Sequence, residues 1–276
     1  MKTIPIAFLV YFACSTFLSE QGQAAPLFLE LGLSSEYFHY EEQNIEGLRL
    51  NREEGQLNGG FVSFGYQPTL GTEWLLTHQR VYGEVEYRGQ TQSGASLNTQ
   101  TKEKFDLFSI RFKRCLGNVY GISGFNWYVS TALNYRNWER KIQPSSGALG
   151  LNENYTWNEF DLSIEADFKV SEKGMMTTRI GSVLGFNEKI DVDLTAIGAG
   201  KPSFNLGEVK AQHFSLGYKY APQEGYEVSL LASYEYWHFD RSRTHIVNAG
   251  PRSIKLTEPE SDMQRAGVHV QLRSFF

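Results

Sequence analysis

Apolar and polar residues alternate with a period of two along most of the chain. In the segment 226–237, Tyr226, Val228, Leu230, Ala232, Tyr234 and Tyr236 share one face of an extended backbone. Glu227, Ser229, Leu231, Ser233, Glu235 and Trp237 share the other. The apolar face begins and ends on tyrosine and covers the eleven residues 226–236. A tilted strand needs about 9–11 residues to cross a bilayer, and tyrosines at its two ends suit the two lipid–water interfaces. Strands of a soluble sandwich usually run only about 5–6 residues. Length therefore favours a membrane wall.

Other segments repeat the pattern. Phe125, Trp127, Val129, Thr131, Leu133 and Tyr135 oppose Asn126, Ser130, Asn134 and Arg136. Phe160, Leu162, Ile164, Ala166 and Phe168 oppose Glu159, Asp161, Glu165 and Asp167, and Phe214, Leu216, Tyr218 and Tyr220 oppose His213, Ser215 and Lys219. Less regular alternation marks 27–41, 57–66, 75–89, 105–116, 175–186 and 265–276, with apolar residues on both faces of 105–116. That makes ten strands. Their connections alternate in length: 67–73, 117–120, 171–174 and 222–225 are short, whereas 42–56, 90–104, 141–154, 187–205 and 240–262 are long. Short turns at one end and long loops at the other are the mark of a membrane barrel. The expected fold is all-β, a transmembrane antiparallel up-and-down β-barrel of about ten strands, with eight or twelve as alternatives. Val192, Leu194 and Ile197 are positions at which the seventh strand could run on.

Composition removes the competing classes. Mean hydropathy is −0.37, and after the N-terminal run no stretch of 18 apolar residues exists, which excludes helical spans. A net charge of −5 gives no case for nucleic acid. At the N-terminus Met1-Lys2 precedes an apolar run from Ile4 to Leu18, and Gly22 and Ala24 then place small residues at a cut. This layout predicts a secretory signal peptide over 1–24 and one barrel domain over 25–276. Cleavage removes Cys14 and leaves Cys115 alone, so no disulfide staples the fold.

The last residues sharpen the picture. Val268, Val270, Leu272, Ser274 and Phe276 lie on one strand face, and His269, Gln271, Arg273 and Phe275 on the other. The segment resembles the C-terminal assembly signal of Gram-negative outer-membrane β-barrels, carried by Val268, Val270, Leu272 and Phe276. The resemblance implies a cell outer membrane location, contact with its lipid and lipopolysaccharide, and handling by the barrel-assembly machinery. The final strand would then close on the first. Arg265, His269 and Arg273 would face Glu227 and Glu235 on the neighbouring strand and Glu30 across the seam.

The polar faces supply the candidate chemistry. Glu84 and Glu86 are expected to face Arg111 and Lys113 across the lumen wall. Arg136 neighbours the ladder Glu159, Asp161, Glu165 and Asp167, followed by Arg179, Lys219, Glu227 and Glu235, then Arg265 and Arg273. Opposite charges on adjacent strands pair across a ladder. Eight strands leave an interior just filled by side chains and 16–18 leave an aqueous channel, so ten lies near the filled end. The expectation is a structural or surface-interaction barrel with a largely filled lumen. A narrow channel for ions or small solutes is the alternative.

Ten strands is also the size of the omptin proteases, which as a family cleave at basic sites with paired acidic residues and an Asp-His couple at the extracellular rim. Asp191 with Asp193 and His238 with Asp240 are the candidates by spacing. Here histidine precedes the acid, and the connection 90–104 contains no Asp. A lipid-modifying hydrolase would use His238 with Ser242. The expectation is no enzyme, and neither metal-ligand spacing nor a cofactor motif appears. Arg49, Arg52, Arg136, Arg140, Lys141, Arg241, Arg243 and Arg252 collect toward the long loops, where lipid phosphate or an extracellular partner could meet them.

Overall fold

The computed structural model describes residues 27–69, 71–90, 94–117, 124–145, 148–249 and 252–276, and the expected signal peptide lies outside them. Ten long strands build one wall: β1 (Leu27–Gln43), β2 (Arg49–Thr69), β3 (Thr72–Gln90), β4 (Ser96–Gly117), β5 (Phe125–Ile142), β6 (Leu151–Lys169), β7 (Gly174–Asp193), β9 (Val209–Gln223), β10 (Tyr226–Phe239) and β13 (Glu260–Phe275). The short β8 (Ser203–Asn205) leans on the top of β7. A two-stranded hairpin, β11 (His245–Ala249) with β12 (Arg252–Leu256), stands in the last long connection.

Neighbouring wall strands are antiparallel, and β1 pairs with β13 from Phe28↔Phe275 to Gln43↔Glu260. That seam leaves no wall strand with an open edge. Register around the barrel is staggered. Stepping across paired residues from Met176 of β7 leads through Tyr218, Leu230, Val270, Leu33, Gly60, Arg80, Asp106, Asn137 and Thr156. The path returns to β7 at Lys189, thirteen residues further up, one of them absorbed by a bulge near Asn187. A stagger of this size obliges the strands to tilt.

The wall strands run 14–22 residues. At a rise of ~3.3 Å per residue and a tilt near 40°, twenty residues give a height of about 50 Å. The apolar belt of such a barrel is only about 25 Å tall, so the strands continue well beyond the membrane. Their polarity inverts as they leave it. On β1, Leu29, Leu31, Leu33 and Tyr37 point outward and are exposed, and then Phe38 and Tyr40 point inward and are fully buried. On β5, Leu133 and Tyr135 face out, whereas Trp138 and Ile142 face in. The lower half is therefore apolar outside and charged inside, as lipid demands, and the upper half is polar outside with a hydrophobic core inside.

This inversion explains the main departures from the sequence reading. Several expected loops are upper strand: β2 begins at Arg49, β4 at Ser96 and β6 at Leu151. β7 extends through Val192, which is buried, as is Leu194 just beyond it. Inner-face glycines let aromatic rings lie flat against the wall. A Cβ at Gly65 would stand 1.9 Å from the Phe28 ring.

Candidate functional site: a layered lumen and a polar rim

Inside the apolar belt the lumen is lined by ion pairs. Arg273 bridges Glu30 at 2.6 Å and Glu73 at 3.0 Å, and Lys113 meets Glu165 at 2.6 Å. Arg111 lies between Glu73 and Glu165, and Arg179 meets Asp161 at 2.9 Å. Lys219 faces Asp167 at 3.7 Å. Arg136 bonds Glu159 at 2.6 Å, with Glu235 at 3.7 Å, and Arg265 closes on Glu36. Glu227 shares this face and accepts from Ser229. The groups are held at matching heights because charged residues recur every second position on facing strands. Between them lies a cavity of about 290 Å³, room for on the order of ten waters.

The structure thus gathers Arg111, Arg136, Glu159, Asp161, Glu165, Asp167, Arg179, Lys219, Glu227, Glu235, Arg265 and Arg273 around one lumen. Glu84 and Glu86 are corrections. Both point outward, because Val81, Val85 and Tyr87 occupy the inner positions of β3. Glu86 pairs with Arg88 on the outer surface, above the belt. The inner face of β3 is polar at Thr77 and Gln79 and apolar from Val81 upward, so the acids move to the outer face. Glu36 and Glu73 were overlooked although they share parity with Glu30 and Leu75. Glu84→Gln and Glu86→Gln are accordingly expected to leave the denaturation midpoint unmoved. Glu159→Gln, which leaves Arg136 without its 2.6 Å partner, is expected to lower it; urea titration of the refolded protein reads the difference.

Above the ion pairs the lumen is closed by an aromatic layer. Phe38, Trp138, Trp157, Trp237, Phe239 and Met263 are each at most 2% exposed, and Trp237 also borders the charged cavity. Trp138 stacks on Phe105 at 5.3 Å and on Tyr155 at 4.5 Å, and Trp157 meets Trp237 edge-on at 5.8 Å. Each indole N–H is satisfied by a glutamate: Trp157 donates to Glu159 at 2.7 Å, Trp237 to Glu235 at 3.1 Å and Trp138 to Glu103. Guanidinium groups cap the layer, Arg136 over Trp237 and Arg265 over Phe105 on one side, Arg140 over Tyr40 on the other. The aromatics are thereby tied to the charged layers both below and above.

The upper charged layer centres on Arg140, which is 2% exposed. It donates to Glu42 at 2.8 Å, to Glu153 at 2.7 Å and to Glu53 at 2.8 Å. Glu103 and Glu258 complete the group, the latter accepting from Tyr155 at 2.6 Å. Five carboxylates thus surround one cation above the membrane. Burial raises the Glu103 carboxyl well above its ordinary value, and Glu53 raises it further against the pull of Arg140 and Trp138. Burial, with Glu153 and Glu42, does the same to Glu258. Glu153 is raised by burial even though Arg140 opposes it. Arg136 points inward beside Glu159 and is buried, and Arg140, which the sequence groups with the loop cations, is inward and buried as well. Arg140 joins the loop cations in the sequence because the upper part of β5 lies beyond its clean alternation.

At the outer rim the picture is different. His238 lies above the tyrosine belt, with Nδ1 2.9 Å from Asp262 and Nε2 3.2 Å from Asp240. Burial alone would lower its pKa, but the hydrogen bond and charge of Asp262, and then of Asp240, hold it above the ordinary value. Below the unfolded pKa the imidazolium pairs contribute fully, and that stability is lost as pH rises through the raised folded value. NMR titration is expected to place His238 above an ordinary histidine, and Asp262→Asn to bring it down. Both ring nitrogens are directed at carboxylates. Ser242 is elsewhere: its Oγ accepts from the Glu258 amide at 2.8 Å and donates to the Arg243 carbonyl at 3.1 Å. Asp193 caps Thr195 and pairs with Lys201. Among the described residues no hydrogen bond or ion pair joins the His238 group to Asp191 or Asp193.

The rim cations are mostly engaged on the protein. Arg49 meets Glu41 at 3.4 Å, Arg52 pairs with Glu54, Lys141 with Glu139, and Arg241 donates to the Gln43 carbonyl. The Arg252 side chain lies outside the described residues.

Neither a family model nor a curated protein sequence matches the chain. Solved structures do. The outer membrane protease OmpT from Escherichia coli superposes with a TM-score of 0.58 at 8% identity, covering 93% of this chain and 99% of that one. The fold is that of an outer-membrane β-barrel. OprG from Pseudomonas aeruginosa aligns more loosely, with a TM-score of 0.42 at 11% identity over 92% of this chain and 97% of its own. The β domain of the Bordetella autotransporter BrkA gives 0.43 at 11% identity over 92% and 100%. At these identities the likeness concerns the fold and leaves the chemistry to the residues.

Proposed function

We propose that this barrel is a non-catalytic outer-membrane protein whose lumen is closed, so that its role is structural or is exercised by its extracellular surface. The observation that carries the reading is the aromatic layer, in which Trp138, Trp157 and Trp237 pack against one another and their neighbours across the lumen and are each at most 1% exposed. The charged cavity below it belongs to the membrane half and ends at that layer. The wall that rises above the belt, the β11–β12 hairpin, and exposed Ile45, Leu48 and Ile246 at the loop tips offer the surface a partner would meet. Around the upper edge of the belt, outward Arg80 and Lys104 sit beside Asp106 and Glu139, where lipopolysaccharide phosphates would lie.

The same reading gives the last strand its part. Val268, Val270 and Leu272 of β13 and Phe276 just beyond it are exposed on the outer face, presenting a continuous apolar face to the barrel-assembly machinery before the seam with β1 forms. Proteoliposome swelling tests the closed lumen: vesicles with the refolded protein should admit arabinose no faster than empty vesicles. Faster uptake would replace this reading with the narrow-channel one.

A further inference from the structure

We propose that the extracellular end of the lumen holds a divalent cation of the calcium class between β2 and β4, bound by Asn51 and Glu53 on one side and Thr101 and Glu103 on the other. These residues form two matching pairs at i, i+2 on the inner faces of strands that flank β3. All four are at most 5% exposed. One oxygen of each has no partner in the protein: Asn51 Oδ1, Glu53 Oε2, Thr101 Oγ1 and Glu103 Oε1. Buried oxygens are rarely left in that condition, and here four of them come from two facing pairs of residues.

The arrangement of the partnered oxygens points the same way. Arg140 holds Glu53 Oε1 at 2.8 Å, and the Trp138 indole N–H holds Glu103 Oε2. Each carboxylate is thus fixed by one oxygen and offers the other, as outer groups orient the ligands of a metal. Glu53 and Glu103 lie within side-chain hydrogen-bond reach of each other, so two carboxyl groups meet across the inner face between β2 and β4. A dication placed there exchanges a repulsive contact for two attractive ones. It also offsets the charge of the surrounding layer, where the carboxylates outnumber the single guanidinium.

The donor set selects the ion. Two carboxylates, an amide oxygen and a hydroxyl are hard oxygen ligands, with no thiolate or imidazole for zinc or copper. Magnesium demands near-ideal octahedral geometry, whereas calcium accepts irregular cages of about 6–8 oxygens, of which these side chains would supply part and backbone carbonyls or water the rest. Among the described residues no three His, Cys, Asp or Glu side chains are arranged to hold a metal ion. The site is therefore a mixed one, half of it neutral oxygen.

Trp138 supplies the test, because its contact with Glu103 puts an indole beside the proposed ion. Refolded protein stripped with a chelator is titrated with terbium and excited through tryptophan, and calcium is then added. The expected result is sensitised terbium emission that calcium displaces, with affinity at least tenfold weaker in the Glu53→Gln, Glu103→Gln double variant. Thr101→Val, a milder change, decides the matter if the double variant loses its heat-modifiable gel mobility, and it is expected to weaken binding several-fold. Absence of calcium-displaceable emission in the wild-type protein would overturn the proposal. So would equal binding in the variants, which would put the ion on surface acids. A stability that follows pH but ignores calcium would assign the contact to a shared proton and overturn it as well.

Discussion

Replacing Arg140 by methionine is expected to destabilise the protein by roughly 3–5 kcal/mol at neutral pH, the usual cost of removing one partner from a buried ionic cluster. Methionine fills much of the same volume, so the loss is chiefly electrostatic. Glu42, Glu53 and Glu153 would lose the guanidinium that they share at 2.7–2.8 Å. The pH dependence follows from the neighbours. Glu103, Glu153 and Glu258 have raised folded values, so the stability they contribute is present below their unfolded pKa and lost as pH rises through the folded one. As pH falls through those raised values, above the ordinary carboxylate range, the carboxyls take up protons and repel one another less. The Arg140→Met penalty should therefore be largest at pH 7.5 and much smaller at pH 5. Urea unfolding followed by tryptophan fluorescence measures both, and an equal penalty at the two pH values would show that Arg140 acts only by packing over Tyr40.

The second large effect concerns the aromatic layer. A Trp138→Ala, Trp157→Ala, Trp237→Ala variant removes three indoles that together close the lumen, and frees Glu103, Glu159 and Glu235 of their indole donors. Each Trp→Ala change in a packed core costs about 3–5 kcal/mol, yet the ladders of the wall are untouched. The expected outcome is a less stable barrel that still migrates as a folded species on unheated gels and now conducts ions. The charged cavity of about 290 Å³ would join the extracellular side. A folded triple variant that remains silent would show that the upper Arg140 layer closes the lumen by itself.

Much of this architecture is legible in the sequence, for a physical reason. Lipid accepts only strands with one apolar face and every backbone group paired, so the lower halves of β5, β6 and β10 show a clean period of two. The alternation of short and long connections then sets the strand number. Above the membrane the constraint reverses, and the apolar residues move to the other parity. Tyr135 is followed by Trp138, Tyr37 by Phe38 and Tyr40, and Tyr236 by Trp237 and Phe239. A single-parity reading discards those residues as irregularities and the upper strands as loops. The same shift hides the facing of Glu84 and Glu86, and it puts Arg140 on the surface when it is the centre of a buried layer. A parity change next to a girdle tyrosine is the signal that would have found the hydrophobic interior.

The ion pairs of the lower lumen were partly foreseeable, because inward charges on adjacent strands must be neutralised. Which acid meets which base was not. Arg273 reaches Glu73 across the lumen as well as Glu30 across the seam, and only the stagger of the closed barrel fixes such heights.

Single-channel recording on planar bilayers tests the closed lumen most directly. The wild-type protein, inserted in folded form, is expected to show no conductance steps, while the triple tryptophan variant shows them under the same conditions. Stable steps from the wild-type protein would contradict the account and make the charged lower cavity part of a conducting path.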